Sequence, residues 1–458
     1  MEYQGKKVAV VGLGISNRAL ISFLSKQGAE ILACDQKELD QIPDLEELEQ
    51  WPIGLQLGRD YLKGLETFDE VFLTPGMRKD LPEIQRLIEA GVPISTEVGL
   101  FMERCPGVIV GVTGSSGKTT TTTLLGEMLA TRWSDTYVGG NIGVPLINEL
   151  DQMTPETRVV LELSSFQLEL TRTSPHIAIV TNVTPNHLDV HPSMEAYIAA
   201  KSSIYRYQGP EDHFVTNGDD PICRQMAAEA PGRVYFFSRR EQPQLGAYIA
   251  DNWFYYRIDS KVGVPVCTVS DVRLRGEHNI SNVLTAILGA ALAGVSPEDM
   301  CEVIRGFTGV AHRLEPVTRW KGILFVNDSI ATTPSRAAAG LRSFDEPVIL
   351  ICGGYDKKLP FEEMIQAGKD RVKAYITLGA TADLIEATIR REYGASLPGI
   401  HRVESLAQAV ETAIELASSG DVVLLSPGCA SYDMFDSFVQ RGELFRELVL
   451  ELIGAKTA

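Results

Sequence analysis

Short runs rich in β-branched residues, each followed by a stretch of helical periodicity, recur along the 458-residue chain. Such alternation dictates parallel sheets with crossover helices. The runs fall into three groups. The first passes from KVAVVGLG (7–14) through AEILACD (29–35) and DEVFLTPG (69–76) to VPIST (92–96), and closes near Cys105 and Pro106. The second begins at GVIVGVTG (107–114) and continues through TRVVLELSS (157–165) and HIAIVTNV (176–183) into a strand-rich stretch from Phe214 to Arg275. It ends on the helical segments HNISNVLTAILGAALAG (278–294) and SPEDMCEVIRGF (296–307). The third holds GILFVNDS (322–329), PVILICGG (347–354), AYITLG (374–379) and DVVLLSPG (421–428), each followed by an amphipathic helix.

The expected architecture is therefore α/β with three domains. A Rossmann-like domain covers 1–105. A central P-loop-type ATPase domain, a parallel sheet plus a smaller β-rich part, covers 106–310, and a C-terminal Rossmann-like domain covers 311–458. A net charge of −18 argues against nucleic acid or an anionic membrane as partner, since either calls for a basic face. Small molecules held by local positive sites are the expected substrates. The seven cysteines are scattered, odd in number and contain no C-x-x-C pair, which points away from structural zinc and disulfides and toward a reducing compartment. The N-terminal MEYQGKKVAVVGLG has no signal-peptide pattern, and no apolar run approaches the roughly 18 residues of a membrane span. A cytoplasmic location is expected.

Candidate chemistry clusters after the strands, where open α/β sheets bind ligands. Gly12 and Gly14 in GLGIS suit a pyrophosphate at a helix N-terminus, but Asn17 replaces the third glycine of the dinucleotide fingerprint. With Asp35 ending the next strand, NAD, another diphosphate such as a nucleotide sugar, and a plain structural turn all stay open. In VTGSSGKTTTTTLL (112–125), Val112 stands where the usual P-loop has glycine. Gly114 and Gly117 still let the backbone approach a phosphate, the amides of 114–120 can cradle it, Lys118 adds a charge and Thr119 can bind Mg²⁺. Glu162 ends a strand as a metal ligand or a cap. In TNVTPNHLDVHP, His187 can touch metal or phosphate, whereas His191 reads as structural. Lys201, among small and apolar residues in YIAAKSSIYRY, reads as a surface lysine that extends its amine to water. Asn279 and Asn282, three apart in GEHNISN, share a face and could read adenine or cap a helix. Arg313 in VAHRLE could reach a γ-phosphate or form an interdomain salt bridge. Asp328, Lys357 and Ser431 follow three strands of the last group and line one expected crevice for an anionic second substrate.

Taken together, TGSSGKT, ELSSFQLE, NVTPNHLD, AAK, GEHNISN, HRLE and NDSIATTP closely resemble, in order and spacing, the Mur ligase family of ATP-dependent amide-forming enzymes. The resemblance covers nearly the whole chain, and GGNIGVPL with SPGCASYDMFDSFVQRG points to the members that add D-glutamate. It implies that Gly114, Ser115, Ser116, Gly117, Lys118, Thr119 and Thr120 hold the ATP phosphates, that Asn279, Asn282 and Asp328 contact the nucleoside, and that Arg313 contacts the transferring phosphate. Two Mg²⁺ ions are implied, on Thr119, Glu162, His187 and a carbamylated Lys201, which reverses the surface reading of that lysine. The implied catalytic set is Lys118, Glu162, His187, Lys201 and Arg313. Ile15, Ser16, Gln36 and Lys37 would hold the uridine diphosphate end of UDP-N-acetylmuramoyl-L-alanine, with Asn141, Ser164 and His187 along its arm. Lys357, Ser431 and Phe438 would receive glutamate. A monomer making peptidoglycan precursors is implied. Two departures stand out: Ser116 replaces the loop asparagine common in the family, and Ile330 replaces the lysine of the DSKAT pattern. The second leaves L-glutamate or another amino acid open, beside a folylpolyglutamate synthase-like ligase that would give the first domain no evident task.

Overall fold

The computed structural model describes residues 3–42, 48, 50–186, 190–259, 262–274, 276–394 and 397–457. Three sheets form, one from each group of β-branched runs. Strands β1 (Lys7–Val11), β2 (Glu30–Asp35), β3 (Ile53–Leu57), β4 (Glu70–Leu73) and β5 (Ile94–Ser95) make a five-stranded sheet in the order β3-β2-β1-β4-β5. All its pairings are parallel. The strand order reverses beside β1, so the crevice for a ligand opens where β1 runs into Gly12 and Gly14.

The second sheet contains β6 (Val108–Thr113), β7 (Thr136–Gly140), β8 (Arg158–Glu162), β9 (Ile177–Val180), β10 (His213–Asn217), β11 (Arg233–Ser238), β12 (Gly246–Ala250), β13 (Trp253–Arg257) and β14 (Val264–Thr268). Its order is β14-β13-β12-β11-β10-β9-β6-β8-β7. It is parallel as far as β12 and then antiparallel through β13 and β14. Strand β6 thus lies between β8 and β9, and the loops following all three meet at one end. The helix Lys118–Ala130 packs across β6, β7 and β8. Its KTTTTTLL start carries β-branched residues that favour strand on propensity alone. Helix wins because Thr120, Thr121, Thr122, Leu124 and Leu125 are all buried against neighbouring elements, and tertiary packing outweighs a propensity term of at most about 0.7 kcal/mol per residue.

Strands β15 (Glu315–Trp320), β16 (Ile323–Asn327), β17 (Val348–Cys352), β18 (Val372–Thr377), β19 (Gly399–Arg402) and β20 (Val422–Leu425) form the third sheet, ordered β15-β16-β20-β17-β18-β19 with only β15 antiparallel. The ILFVN of β16, VILIC of β17 and VVLL of β20 are buried at every residue, as central parallel strands covered on both faces must be.

Two compact units result, 1–273 with 277–307, and 274–276 with 308–458. Within the first, Asn148 Nδ2 donates to Ala19 O at 3.2 Å and Lys79 pairs with Glu169 at 2.7 Å, tying the first sheet's elements to the second's. Among the described residues no helix is long and apolar enough to cross a membrane.

Candidate active site

Glycine geometry fixes the loop after β6. Gly114 has φ +152° and Gly117 φ +79°, and a Cβ would sit 1.9 Å from Thr181 Oγ1 at the first and 2.3 Å from Asn282 Oδ1 at the second. Only glycine meets both constraints, and the backbone between them is left able to approach a phosphate. Val112, by contrast, is an interior residue of β6 with no such demand, so the irregular spacing costs the cradle nothing.

Two residues that sequence reasoning passed over hold this loop. From the end of β9, Thr181 Oγ1 donates to Ser116 O at 2.7 Å, and Asn182 accepts from Ser116 N at 3.1 Å while its Nδ2 donates back to Ser116 O at 3.1 Å. Ser115 Oγ donates to Thr184 O at 2.9 Å and lies 3.1 Å from the Tyr197 hydroxyl. Their signal in the sequence was the strand end itself, TNVT, once β9 is known to flank β6.

Helix capping separates two helix starts from the rest. In the first unit, among the described helices, only Ile15–Lys26 and Lys118–Ala130 have neither a side-chain cap nor an acidic residue in the first turn; both have glycine at the N-cap. Others carry Thr96, Ser193, Asp220 or Ser296 as capping side chains. Open amides without a competing carboxylate are what an anion needs.

Around the Lys118 helix the predicted residues converge. Thr119 Oγ1 donates to Glu162 Oε2 at 2.7 Å, and Asn141 Nδ2 donates to Glu162 Oε1 at 2.8 Å. A hydroxyl and a carboxylate so placed beside a phosphate cradle are hard oxygen donors of the kind Mg²⁺ prefers, so the donor set fits that ion. Lys118 Nζ donates to Gly114 O at 3.1 Å, and Lys201 Nζ donates to the same oxygen at 2.9 Å. Asn282 Nδ2 donates to Asn279 Oδ1 at 2.8 Å on the shared helix face. Ser164 caps the short helix Ser165–Leu168 in a reciprocal pair with Gln167. His191 is buried, 3.0 Å from Ser165 Oγ and stacked on Phe166 at 5.1 Å. His187 and Asp189 lie outside the described residues.

The surface reading of Lys201 is corrected. It is 1% exposed, with its amine 4.6 Å from the Tyr197 ring centroid, because the helix Met194–Arg206 turns Ala200 through Tyr205 toward β6 and β9. Burial, and then the charge of Lys118, hold its ammonium well below the ordinary lysine range. A buried amine gives up its proton rather than bear the full desolvation cost of a charge.

At the first sheet, Asn17 Nδ2 donates to Val11 O at 2.9 Å and Gly12 O at 2.8 Å, so the residue replacing the third glycine braces the turn. Asp35 accepts from Leu13 N at 2.8 Å and Lys37 N at 3.0 Å, clamping the loops after β1 and β2 together. Ile15 is 79% exposed at the helix start, Ser16 is half-buried beside it, and Gln36 and Lys37 are exposed.

In the second unit, Asp328 follows β16 and is buried, accepting from Ser426 Oγ at 2.7 Å and Leu314 N at 3.2 Å. Burial pushes its carboxyl up to about 7 against these two donors and the charge of Arg313. A carboxyl raised in the native state keeps its proton between the ordinary 3.8 and about 7 while the unfolded chain has lost it. Stability therefore falls as pH rises through that window, at up to about 1.4 kcal/mol per pH unit. Asp328→Asn should flatten this slope when urea midpoints are compared at several pH values between those limits; an unchanged slope would remove Asp328 as its source.

Ser431 is buried, Lys357 is exposed with its amine lowered by partial desolvation and by Arg336, and Phe438 meets the His312 ring edge-on at 6.2 Å. Ile330 is half-buried, its amide donating to His312 O at 3.0 Å. Arg441, missed in the sequence, is buried and donates to Ser329 Oγ at 3.0 Å, Ser329 O at 2.9 Å and Cys429 O at 3.2 Å, which fixes the loop between Gly428 and Ser431.

Similarity to known proteins extends over nearly the whole chain. The family models described as Mur ligase MurD-like, N-terminal domain, Mur ligase middle domain, and Mur ligase, glutamate ligase domain match residues 6–96, 112–290 and 312–429. The UDP-N-acetylmuramoylalanine–D-glutamate ligase of Symbiobacterium thermophilum is 46% identical over 447 residues, 97% of this chain and 98% of that protein. The ligase of the same name from Acetivibrio thermocellus is 45% identical over 452 residues, 97% and 96% of the two chains. In fold, the chain is similar to UDP-N-acetylmuramate-alanine ligase MurC from Thermotoga maritima, with a TM-score of 0.59, 19% identity, and 98% and 100% of the two chains covered. With three family domains matched in sequence order and full-length relatives at this level of identity, the chain belongs to the Mur ligase family.

Proposed function

We propose that this protein joins D-glutamate to UDP-N-acetylmuramoyl-L-alanine at the expense of ATP, in peptidoglycan precursor synthesis. The names of the relatives support the substrates. The observation that carries the chemistry is the cluster at the ends of β6, β8 and β9, where Lys118, Thr119, Glu162 and Lys201 surround one glycine-braced loop. The acceptor's terminal carboxylate is activated as an acyl phosphate, and the incoming amine attacks the carbonyl carbon, losing a proton as phosphate departs.

The residue roles in this reading are those that the family resemblance implies. The amides of 114–120 with Lys118 would hold the phosphates, Asn279 and Asn282 would meet the nucleoside, and Thr119 and Glu162 would hold one Mg²⁺, with His187 and Lys201 serving a second. Such ions neutralise the negative charge that gathers on phosphoryl and carboxylate oxygens. A neutral buried amine is the form of lysine that reacts with CO₂, giving a carbamate and one proton, and so turns Lys201 into an anionic ligand. Domain 1–105 takes the UDP end, with the exposed Ile15 as an apolar face for the base beside Ser16, Gln36 and Lys37. Asn141 and Ser164 lie along the arm. Domain 106–310 binds ATP; of domain 311–458, Arg313 and Asp328 are assigned to the nucleotide and Lys357, Ser431 and Phe438 to glutamate, as the family resemblance implies. A cytoplasmic monomer accompanies this reading.

Phosphate release tests it. Release is expected to need ATP, the UDP-linked acceptor and D-glutamate together, and to fall with L-glutamate; ATP turnover indifferent to acceptor and amino acid would sink the proposal. The comparison of enantiomers addresses Ile330 directly. For the loop, Gly117→Ala forces a side chain into left-handed backbone and against Asn282. ATP affinity by calorimetry should weaken by at least about tenfold, roughly 1.4 kcal/mol, and unchanged affinity would separate the nucleotide from this loop.

A further inference from the structure

Across the second sheet, six strands from β6, lies a cluster that no part of the ligase chemistry uses. Cys267 in β14, Asp271 in the turn that follows, and Cys301 in the helix Pro297–Gly306 each offer one ligand atom, and these atoms lie within 4.8 Å of one another. We propose that Cys267, Asp271 and Cys301 form a binding site for a thiophilic divalent cation of the zinc class, which staples the helix Pro297–Gly306 to the edge strand β14.

The local structure holds the three groups in place. Thr268 donates through its amide at 2.9 Å and its hydroxyl at 2.8 Å to Asp271 Oδ2, fixing the carboxylate at the strand end. Arg305, one helical turn beyond Cys301 on the same face, donates to Asp271 Oδ1 at 2.9 Å. The helix packs directly on β14. Two sulfurs and one carboxylate oxygen leave a fourth tetrahedral position for water, which reaches the site because Asp271 keeps partial exposure.

The net charge of the cluster is the same with and without the ion. With both thiols protonated, Asp271 and Arg305 cancel. When a divalent cation binds and both thiols ionise, two positive charges meet two thiolates and the cluster is again neutral, with two protons released. Arg305, which donates to both Asp271 oxygens, balances the carboxylate charge in both states. Because the cysteines bind as thiolates, the ion displaces their protons, and affinity must rise with pH. Thiolate ligands select zinc-class ions over Mg²⁺, which seeks oxygen. The helix ends at Gly306, just before the long segment of the second unit starts at 308, so a bound ion would anchor the last element of the first unit.

The test titrates the metal-free full-length protein with Co²⁺. Five other free cysteines are present, so the Cys301→Ser variant is what assigns any sulfur-to-cobalt charge-transfer absorption to this cluster. The expected result is a near-ultraviolet band saturating at one equivalent, two protons released per ion, displacement by Zn²⁺ but not Mg²⁺, and loss of the band in Cys301→Ser protein that remains folded by circular dichroism. A second variant, Asp271→Asn, should weaken binding and leave the band. Absence of the band in the folded wild type, or a band that survives Cys301→Ser, would overturn the site. So would five instead of seven titratable thiols in the denatured, unreduced protein, since the pair would then be a disulfide.

Discussion

Lys201→Ala should lower phosphate release by on the order of 10²–10³, the scale on which a single preorganised electrostatic partner acts, and added acetate or formate should restore part of it. The reasoning starts from burial. At 1% exposure and beside Lys118, the Lys201 ammonium is held well below the ordinary lysine range; a neutral amine is a nucleophile for CO₂, and on the proposed reading its carbamate would be the anionic ligand of a second Mg²⁺. A short carboxylate can replace that anion only where alanine leaves room. Lys201→Arg should therefore resist rescue, because a guanidinium keeps its charge and forms no such carbamate. The same lysine has a stability signature. Its native state binds fewer protons than the unfolded chain between the lowered value and the ordinary 10.5, so stability rises with pH across that window, and Lys201→Ala should remove the slope. Full activity in Lys201→Ala would refute the role. Activity lost without carboxylate rescue, in protein that is folded, would leave the amine itself as the working group and reject the carbamate.

The lysine also marks where sequence stopped being sufficient. Its helix is rich in small residues, and nothing in YIAAKSSIYRY says which face meets β6; only the packing of Met194–Arg206 decides it. Central strands such as β16, β17 and β20 announce themselves as unbroken apolar runs. By contrast, β3, β7, β15 and β19 pass unnoticed because each lies at a sheet edge, where half-exposed residues, Gly54 and Pro316 blur the pattern. In the site, GSSGKT is legible because its constraint is local. Thr181 and Asn182 are not, because their task exists only once β9 pairs with β6, a contact between segments 68 residues apart. Asn17 makes the same point in reverse: as a missing glycine it weakened the fingerprint, yet its amide braces the very turn the fingerprint describes.

Glu162→Gln should lose on the order of 10³ in Mg²⁺-dependent turnover while the thermal midpoint stays near the wild-type value. The separation follows from hydrogen-bond accounting. Glu162 accepts from Thr119 through one oxygen and from Asn141 through the other. Glutamine keeps an oxygen for the Asn141 amide and turns its own NH₂ toward the Thr119 hydroxyl, which can accept as readily as donate. Both bonds survive and only the negative charge goes. A hard cation held by oxygen then loses its one anionic contact from β8, and several kcal/mol of charge stabilisation depend on that contact. Glu162→Ala would confuse the two effects, since it leaves the Asn141 amide and the Thr119 hydroxyl without their partner in a mostly buried place, at a cost of about 1–3 kcal/mol in stability. Comparing the pair therefore divides metal binding from folding. If Glu162→Gln turned over at the wild-type rate with an unchanged Mg²⁺ requirement, the carboxylate would be a brace for Asn141 and Thr119 and the metal would have to be held elsewhere.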